Sequence, residues 1–257
     1  MILDEIIETK RREVAARKTA TPLVDLEKII AGMPPARDFK KAISAGDCTI
    51  IAEVKRRSPS RGVLRMDFDP VRIALEYESH GAAAISVLTD ETFFGGSDAD
   101  LTAVKNAVKL PVLRKEFIID PYQICEARAI SADAILLIAT ILTEGQLREY
   151  RDLAASLGLA ALVEVHNRRE LEITLAAGAE IIGINNRDLK TFVTDIRTST
   201  ELAPLIPKDR IVISESGIRT RGEIETLLKA GIRAFLIGET LIAAPEIGPK
   251  LKELLGK

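Results

Sequence analysis

Eight short runs of aliphatic and β-branched residues recur along the chain, and most are followed by a stretch whose apolar positions repeat at helical spacing. The runs fall at residues 49–54, 83–88, 111–113, 134–138, 160–163, 181–184, 211–214 and 234–237. Amphipathic segments between them include 70–79, 121–130, 144–156, 168–177 and 222–230. Strands this uniformly apolar need cover on both faces, which is the signature of a parallel sheet. Gly81, Gly158, Gly178 and Gly231 stand where a helix ends before the next strand. Asp69-Pro70 and Asp120-Pro121 pair a capping acid with a first-turn proline. Eight such units predict a (β/α)8 TIM barrel, which suits the count better than an open doubly wound sheet. No Gly-x-Gly-x-x-Gly follows the first run, which weakens a dinucleotide-binding reading.

Residues 1–48 precede the eightfold pattern. Ile2, Leu3, Ile6, Ile7 and Val14 mark one helical face, with Lys10, Arg11, Arg12 and Arg17 expected mostly off it. A second short helix is expected over 38–45. This preface is read as a helical extension packed on the barrel within a single domain spanning 1–257, with a charged dimerisation arm as the alternative.

Composition narrows the function classes. A net charge of −2 argues against nucleic acid or an acidic membrane as partner. No run of about 20 apolar residues is present to span a bilayer, and the acidic, amphipathic start does not resemble a signal peptide. Cys48 and Cys125 have neither metal spacing nor a disulfide pattern, which suits a reducing, cytoplasmic setting. His80 and His166, the only two histidines, leave little material for a metal site or a triad.

The candidate chemistry lies at the carboxyl ends of the strands, where barrels of this kind place their active sites. The first run ends in Glu53 and Lys55, which share a face with Ile51 because strand side chains alternate. A structural ion pair is the plainer reading of those two. Leu113 and Lys115 share a face, as do Leu162 and Glu164. The later strand ends bring Asn185 and Arg187, Glu215 and Ser216, and Gly238 and Glu239. Arg114, Glu116 and Asp188 are expected to be solvated loop charges. Glu53, Glu164 and Glu215 would then oppose Lys55, Lys115 and Arg187, three charges of each sign. Crowding of this kind shifts pKa values: a lysine among cations falls toward neutrality, and a glutamate at an apolar strand end rises. Ser216-Gly217 and Gly238-Glu239 offer backbone N–H groups to an anion, as phosphate-binding loops of such barrels do. The Glu239 side chain is expected to turn away from that anion. Tight-turn glycines are the alternative. No Cys/His/Asp cluster suggests a metal.

With these residues assembled, the chain resembles the indole-3-glycerol phosphate synthase family over essentially its whole length. The motifs are Ile-Ala-Glu-Val-Lys-Arg-Arg-Ser-Pro-Ser, Ser-Val-Leu-Thr-Asp-Glu-Thr-Phe-Phe-Gly-Gly, Val-Leu-Arg-Lys-Glu-Phe-Ile-Ile-Asp-Pro-Tyr-Gln, Leu-Val-Glu-Val-His, Gly-Ile-Asn-Asn-Arg-Asp-Leu and Ser-Glu-Ser-Gly-Ile. The resemblance implies a phosphosugar substrate, 1-(2-carboxyphenylamino)-1-deoxyribulose 5-phosphate, closed to indole-3-glycerol phosphate with loss of CO2 and water. It implies no cofactor and no metal, and other enzymes of tryptophan biosynthesis as candidate protein partners. By the same resemblance Lys115 is the proton donor and Glu164 the base, while Lys55, positioned by Glu53, meets the substrate carboxylate. Asn185 and Glu215 serve the sugar hydroxyls, Ser58, Ser216, Gly217, Gly238 and Glu239 hold the phosphate, and Arg187 orients the anionic substrate.

Two loops carry further expectations. Phe93 and Phe94 would turn toward the substrate ring, or their loop would merely let Ser97 cap the next helix. The 56–64 loop would close over substrate. Phe117 and Leu136 read as pocket wall or core. A class I aldolase using Lys115 or Lys55, a phosphosugar isomerase using Glu164, and a non-catalytic phosphometabolite-binding barrel or engineered scaffold are the competing readings.

Overall fold

The computed structural model describes residues 2–59, 61–188 and 193–257. Its strands β1 (Thr49–Val54), β2 (Ala84–Leu88), β3 (Val112–Lys115), β4 (Ala134–Ile138), β5 (Ala160–Val165), β6 (Ile181–Asn185), β7 (Ile211–Glu215) and β8 (Ala234–Ile237) form one closed parallel barrel. Closure is made by β1 against β8, with Thr49 opposite Ala234. Alternation sorts the side chains into two layers. Ile51, Leu113, Leu136, Leu162, Ile213 and Leu236 fill the interior, while Ile50, Ala52, Val54, Val163, Val165 and Ile184 pack outward against the helices. The first of these phases places Glu53, Lys115, Glu164 and Glu215 inward at the strand ends, as the sequence pattern predicts.

The preface holds three helices: α1 (Ile2–Ala20), α2 (Leu23–Ala31) and α3 (Phe39–Ile43). The middle one was not expected. Phe39 and Ile43 of α3 join the interior cluster, and Thr49 Oγ at the start of β1 donates to Ile43 O at 2.7 Å. This helix therefore stops the amino-terminal end of the barrel.

The barrel helices are α4 (Pro70–Ser79), α5 (Asp98–Ala107), α6 (Tyr122–Ala129), α7 (Glu144–Ser156), α8 (Arg168–Ala176), α9 (Arg197–Leu202), α10 (Arg221–Lys229), α11 (Glu239–Ile242) and α12 (Ile247–Leu255). Asp69 accepts from the N–H groups of Val71 and Arg72, the cap its Asp-Pro step predicts. Gly81, Gly158, Gly178 and Gly231 all take positive φ, as helix ends of this type require. No helix of the described residues is long and apolar enough to cross a membrane.

Three expectations about charge fail here. Lys10, placed off the apolar face of α1, is 1% exposed and lies between Ile6 and Val14 on the buried side. Its ammonium meets Glu13 at 2.7 Å, Asp90 at 2.9 Å and Glu116 at 3.1 Å. Arg114 and Glu116, expected as solvated loop charges, are 0% and 1% exposed. The physical reason is the same in each case: an ion can be buried when oppositely charged and hydrogen-bonding partners surround it. Asp188 is exposed as expected.

Candidate active site

One cleft opens at the carboxyl ends of the strands. It is lined by Glu53, Lys55, Ser58, Lys115, Glu164, Asn185, Arg187, Glu215, Ser216, Gly217, Gly238 and Glu239, so all twelve sequence-predicted residues meet there. Ile2, Leu3 and Ile6 also line it, which makes α1 part of its wall. Phe94 and Phe117 add an aromatic wall, their ring centroids 6.0 Å apart, and Leu136 lies at the base. Phe94 of the 86–96 motif lines the cleft and Phe93 does not, while Ser97 caps α5 by accepting from Asp100 N. The cap is therefore present, and of the two expected aromatics only Phe94 reaches the cleft.

Lys115 is the centre of the charge network. Its Nζ lies 3.0 Å from Glu164 Oε2 and 2.6 Å from Glu215 Oε2. Lys55 Nζ lies 2.6 Å from Glu53 Oε1. Burial would lower the Lys115 pKa, but Glu164, Glu215 and Glu53 outweigh it and raise the group well above the ordinary lysine range. The expectation of a lysine shifted toward neutrality by neighbouring cations is therefore overturned: carboxylates, not cations, surround Lys115.

The carboxylates differ from one another. Burial would raise Glu164, yet Lys115 and His166 outweigh it and hold the group low. Burial likewise would raise Glu53, and Lys55 with Lys115 holds it low. Glu215 goes the other way. Burial raises it, Glu164 and Glu53 add to the rise, and Lys115 only partly offsets them, leaving it at about 7. The raised glutamate is Glu215 and not Glu164 because Glu164 has a second cation, His166, at 3.3 Å. The balance of three charges against three is not realised in this form, since Arg187 pairs with Glu239 at 3.0 Å.

Two glycines make room for these carboxylates. A Cβ on Gly238 would stand 2.3 Å from Glu53 Oε1, and one on Gly183 would stand 2.0 Å from Glu215 Oε1. At the far side, Ser216 and Gly217 take φ of 67° and 76°. For Ser216 such a conformation costs about 1–3 kcal/mol. Asn186, buried, donates to Ser216 O at 3.0 Å and holds it. The Glu239 carboxylate is met by Arg187 and by Arg61 Nε, each at 3.0 Å, so its charge is offset by pairing.

The 56–64 loop begins as a small hairpin of Arg57–Ser58 against Gly62–Val63. Its Ser60, and Leu189 at the end of another motif, lie outside the described residues. Among the described residues no group of three His, Cys, Asp or Glu side chains is placed to hold a metal ion. Sequence reasoning passed over His166 and the α1 apolar residues. The period of two from Glu164 to His166 was the signal for the first.

Comparison with known proteins agrees with this geometry. A family model described as indole-3-glycerol phosphate synthase matches residues 3–254. A relative of that name from Alkaliphilus metalliredigens is 50% identical over 255 residues, covering 99% of this chain and 98% of its own length. One from Chlorobium luteolum is 52% identical over 247 residues, 95% of this chain and 94% of the relative. Among solved structures, 3-hexulose-6-phosphate synthase superposes with a TM-score of 0.63 at 14% identity, over 81% of this chain and 98% of that one. A tryptophan synthase alpha-subunit variant from Pyrococcus furiosus gives 0.63 at 15% identity, over 82% and 99%. At such identities the structural likeness establishes the barrel alone.

Proposed function

The chain belongs to the indole-3-glycerol phosphate synthase family, decarboxylating lyases of tryptophan biosynthesis, and from that premise we propose how its residues divide the chemistry. The substrate is the phosphorylated carboxyphenylamino-deoxyribulose. Its ring carbon attacks the ribulosyl carbonyl, loss of CO2 restores the aromatic ring, and loss of water completes the pyrrole. Ring closure and dehydration move protons and so call for general acids and bases, whereas decarboxylation only returns the electron pair of the broken C–C bond to the ring.

Lys115 gives its proton to the carbonyl oxygen as the new bond forms. A developing alkoxide is more basic than an amine, so even a lysine with a raised pKa can protonate it. Before that it stabilises the growing charge. Glu164, held ionised, is the base that takes the proton lost in dehydration, while Lys115, reprotonated through Glu215, protonates the departing hydroxyl so that it leaves as water. Glu215, which titrates near neutrality, exchanges protons with Lys115 and, with Asn185, engages the sugar hydroxyls. Lys55, oriented by Glu53, binds the carboxylate that leaves as CO2. Ser58, Ser216, Gly217, Gly238 and Glu239 form the phosphate end through hydroxyls and backbone N–H groups, with Arg187 orienting the anion. Ile2, Leu3, Ile6, Phe94 and Phe117 receive the substrate ring, so helical preface and barrel work as one unit.

The observation that carries this reading is Lys115 bridging Glu164 and Glu215 at the ends of three different strands. It also disfavours an aldolase. A Schiff-base lysine must attack as the neutral amine, and this ammonium is fixed by carboxylates. The test follows indole fluorescence from the carboxyphenylamino substrate. Wild type should turn over, and Lys115→Ala should lose at least about 10^2- to 10^4-fold in kcat. Full activity in Lys115→Ala, or none in wild type, overturns the assignment.

The proposal extends to a cytoplasmic location, supported by two free cysteines, Cys48 and Cys125. It extends also to contacts with other enzymes of tryptophan biosynthesis.

A further inference from the structure

Glu164 is held by a cation at each of its two oxygens. Lys115 Nζ lies 3.0 Å from Oε2, and His166 Nε2 lies 3.3 Å from Oε1. The ring is braced from behind, with Nδ1 3.1 Å from Glu170 Oε2 and 3.2 Å from Thr140 Oγ. Glu170 is itself fixed. It accepts from the His166 backbone N–H at 2.8 Å, from Asn167 Nδ2 at 2.8 Å and from Thr140 Oγ at 3.1 Å. We propose that His166, braced by Glu170, is a positioning residue that sets the Glu164 carboxylate for its proton transfer. This rests on Glu164 being the base in the reading above.

A helix cap alone does not account for the ring. Asn167 caps α8 by accepting from Glu170 N, and the three donors just named satisfy Glu170 without the imidazole. Nothing in that cap needs a histidine. Meanwhile Nε2 is buried and makes no hydrogen bond of its own, so its only compensation among the described residues is the Glu164 charge. A buried donor in that state is costly unless the ion pair offsets it.

Charge agrees with geometry. Burial would lower His166, but Glu164 and Glu170 outweigh it and push it up to about 10, so both ring nitrogens carry protons at neutral pH. The charged groups around Glu164 are Lys115 from β3, Glu215 from β7, Glu53 with Lys55 from β1, and His166 at the end of β5. Of these, Lys115 and His166 touch it. Lys115 is shared with Glu215, whereas His166 serves Glu164 and Glu170. Without the imidazolium, Oε1 is free to turn and the carboxylate is easier to protonate.

The experiment compares His166→Ala, His166→Gln and Glu164→Gln by indole fluorescence across a pH series. His166→Ala should lower kcat about 10- to 100-fold, the scale of a misplaced catalytic group, with KM little changed and the acidic limb of the kcat profile moved to higher pH. His166→Gln keeps an N–H within reach, so it should recover part of kcat while its acidic limb stays displaced. An acidic limb and kcat like those of wild type in His166→Ala overturn the proposal, as does a loss confined to KM or Tm. Should the alanine variant not fold, the glutamine variant decides, with an unshifted limb counting against. Activity in Glu164→Gln sinks the base assignment itself. An inactive Glu164→Gln beside a wild-type-like His166→Ala sinks only the positioning role.

Discussion

Arg114 and Lys115 are neighbours on β3, the first buried, the second partly exposed to the cleft, and each bound to two carboxylates, yet the strand's alternation sends them to opposite environments. Arg114 points outward into the helix layer. It donates to Asp98 at 2.7 Å, Glu126 at 2.8 Å, Gln123 O at 3.1 Å and Thr89 Oγ at 3.2 Å. Arg17 of α1 joins the same two carboxylates, at 2.9 Å to Glu126 and 3.5 Å to Asp98. Two arginines there meet two acids, and the guanidinium fork is filled. Lys115 points inward to the cleft, where, with His166 and its brace Glu170 counted, four glutamates face three cations and Glu215 Oε1 has no hydrogen-bond partner. One node is balanced and fastens the preface to the barrel. The other carries an excess of negative charge, and that excess is what keeps one carboxyl protonatable near pH 7.

The largest expected effects come from exchanging these neighbours' fates. Arg114→Ala leaves the buried Glu126 and the partly exposed Asp98 with too little positive charge, which should cost about 3–5 kcal/mol. Urea denaturation should record that loss while the folded fraction keeps its turnover. Lys115→Ala should do the reverse, with the kcat loss given above and a smaller change in stability, because Glu215 can take up a proton. If both substitutions damage stability and turnover alike, the division between fastening and chemistry is wrong.

A smaller effect tests the excess charge. Glu215 has a folded pKa raised to about 7 from an ordinary value near 4.5. Such a group favours the fold fully below about 4.5, and that contribution is lost as pH rises through about 7. Glu215→Gln removes this loss. Relative to wild type it should gain stability as pH climbs through that window, as read by denaturation midpoints at either end. Parallel pH curves would show that the surplus negative charge does not reside on Glu215.

What was legible in the chain follows the same division. Alternation alone aimed Glu53, Lys115, Glu164 and Glu215 into the barrel, because a period of two is local. The burial of Arg114 and Glu116 was not legible, since it depends on Asp98, Glu126, Arg17 and Lys10, which the sequence does not mark as partners. The Lys10 position was legible in principle: it falls four residues from both Ile6 and Val14, in the middle of the apolar stripe. The directions of the Lys115 and Glu164 shifts needed a count of which charges come within reach, and Arg187 drops from that count by pairing with Glu239. His166 stands two residues beyond Glu164 on the same strand phase, but with His80 as the only other histidine it suggests neither a metal site nor a triad, so composition does not mark it.

The smallest effect separates two positions in the loop after β2, Phe94 and Ser97, where chemistry and fastening lie three residues apart. Gly96 lets this loop fold back on the strand, since a Cβ there would stand 2.0 Å from Leu88 O. Beyond it, Ser97 caps the helix whose Asp98 holds Arg114. Before it, Phe94 lines the cleft against Phe117. Ser97→Ala should therefore cost about 1 kcal/mol of stability with kcat and KM unchanged. Phe94→Ala should raise KM with a lesser change in denaturation midpoint, because it removes ring contact and leaves the cap intact. A rise in KM for Ser97→Ala would mean that the cap also shapes the aromatic wall. Fastening and chemistry would then be coupled through this loop, and the independence argued for Arg114 and Lys115 would not extend to it.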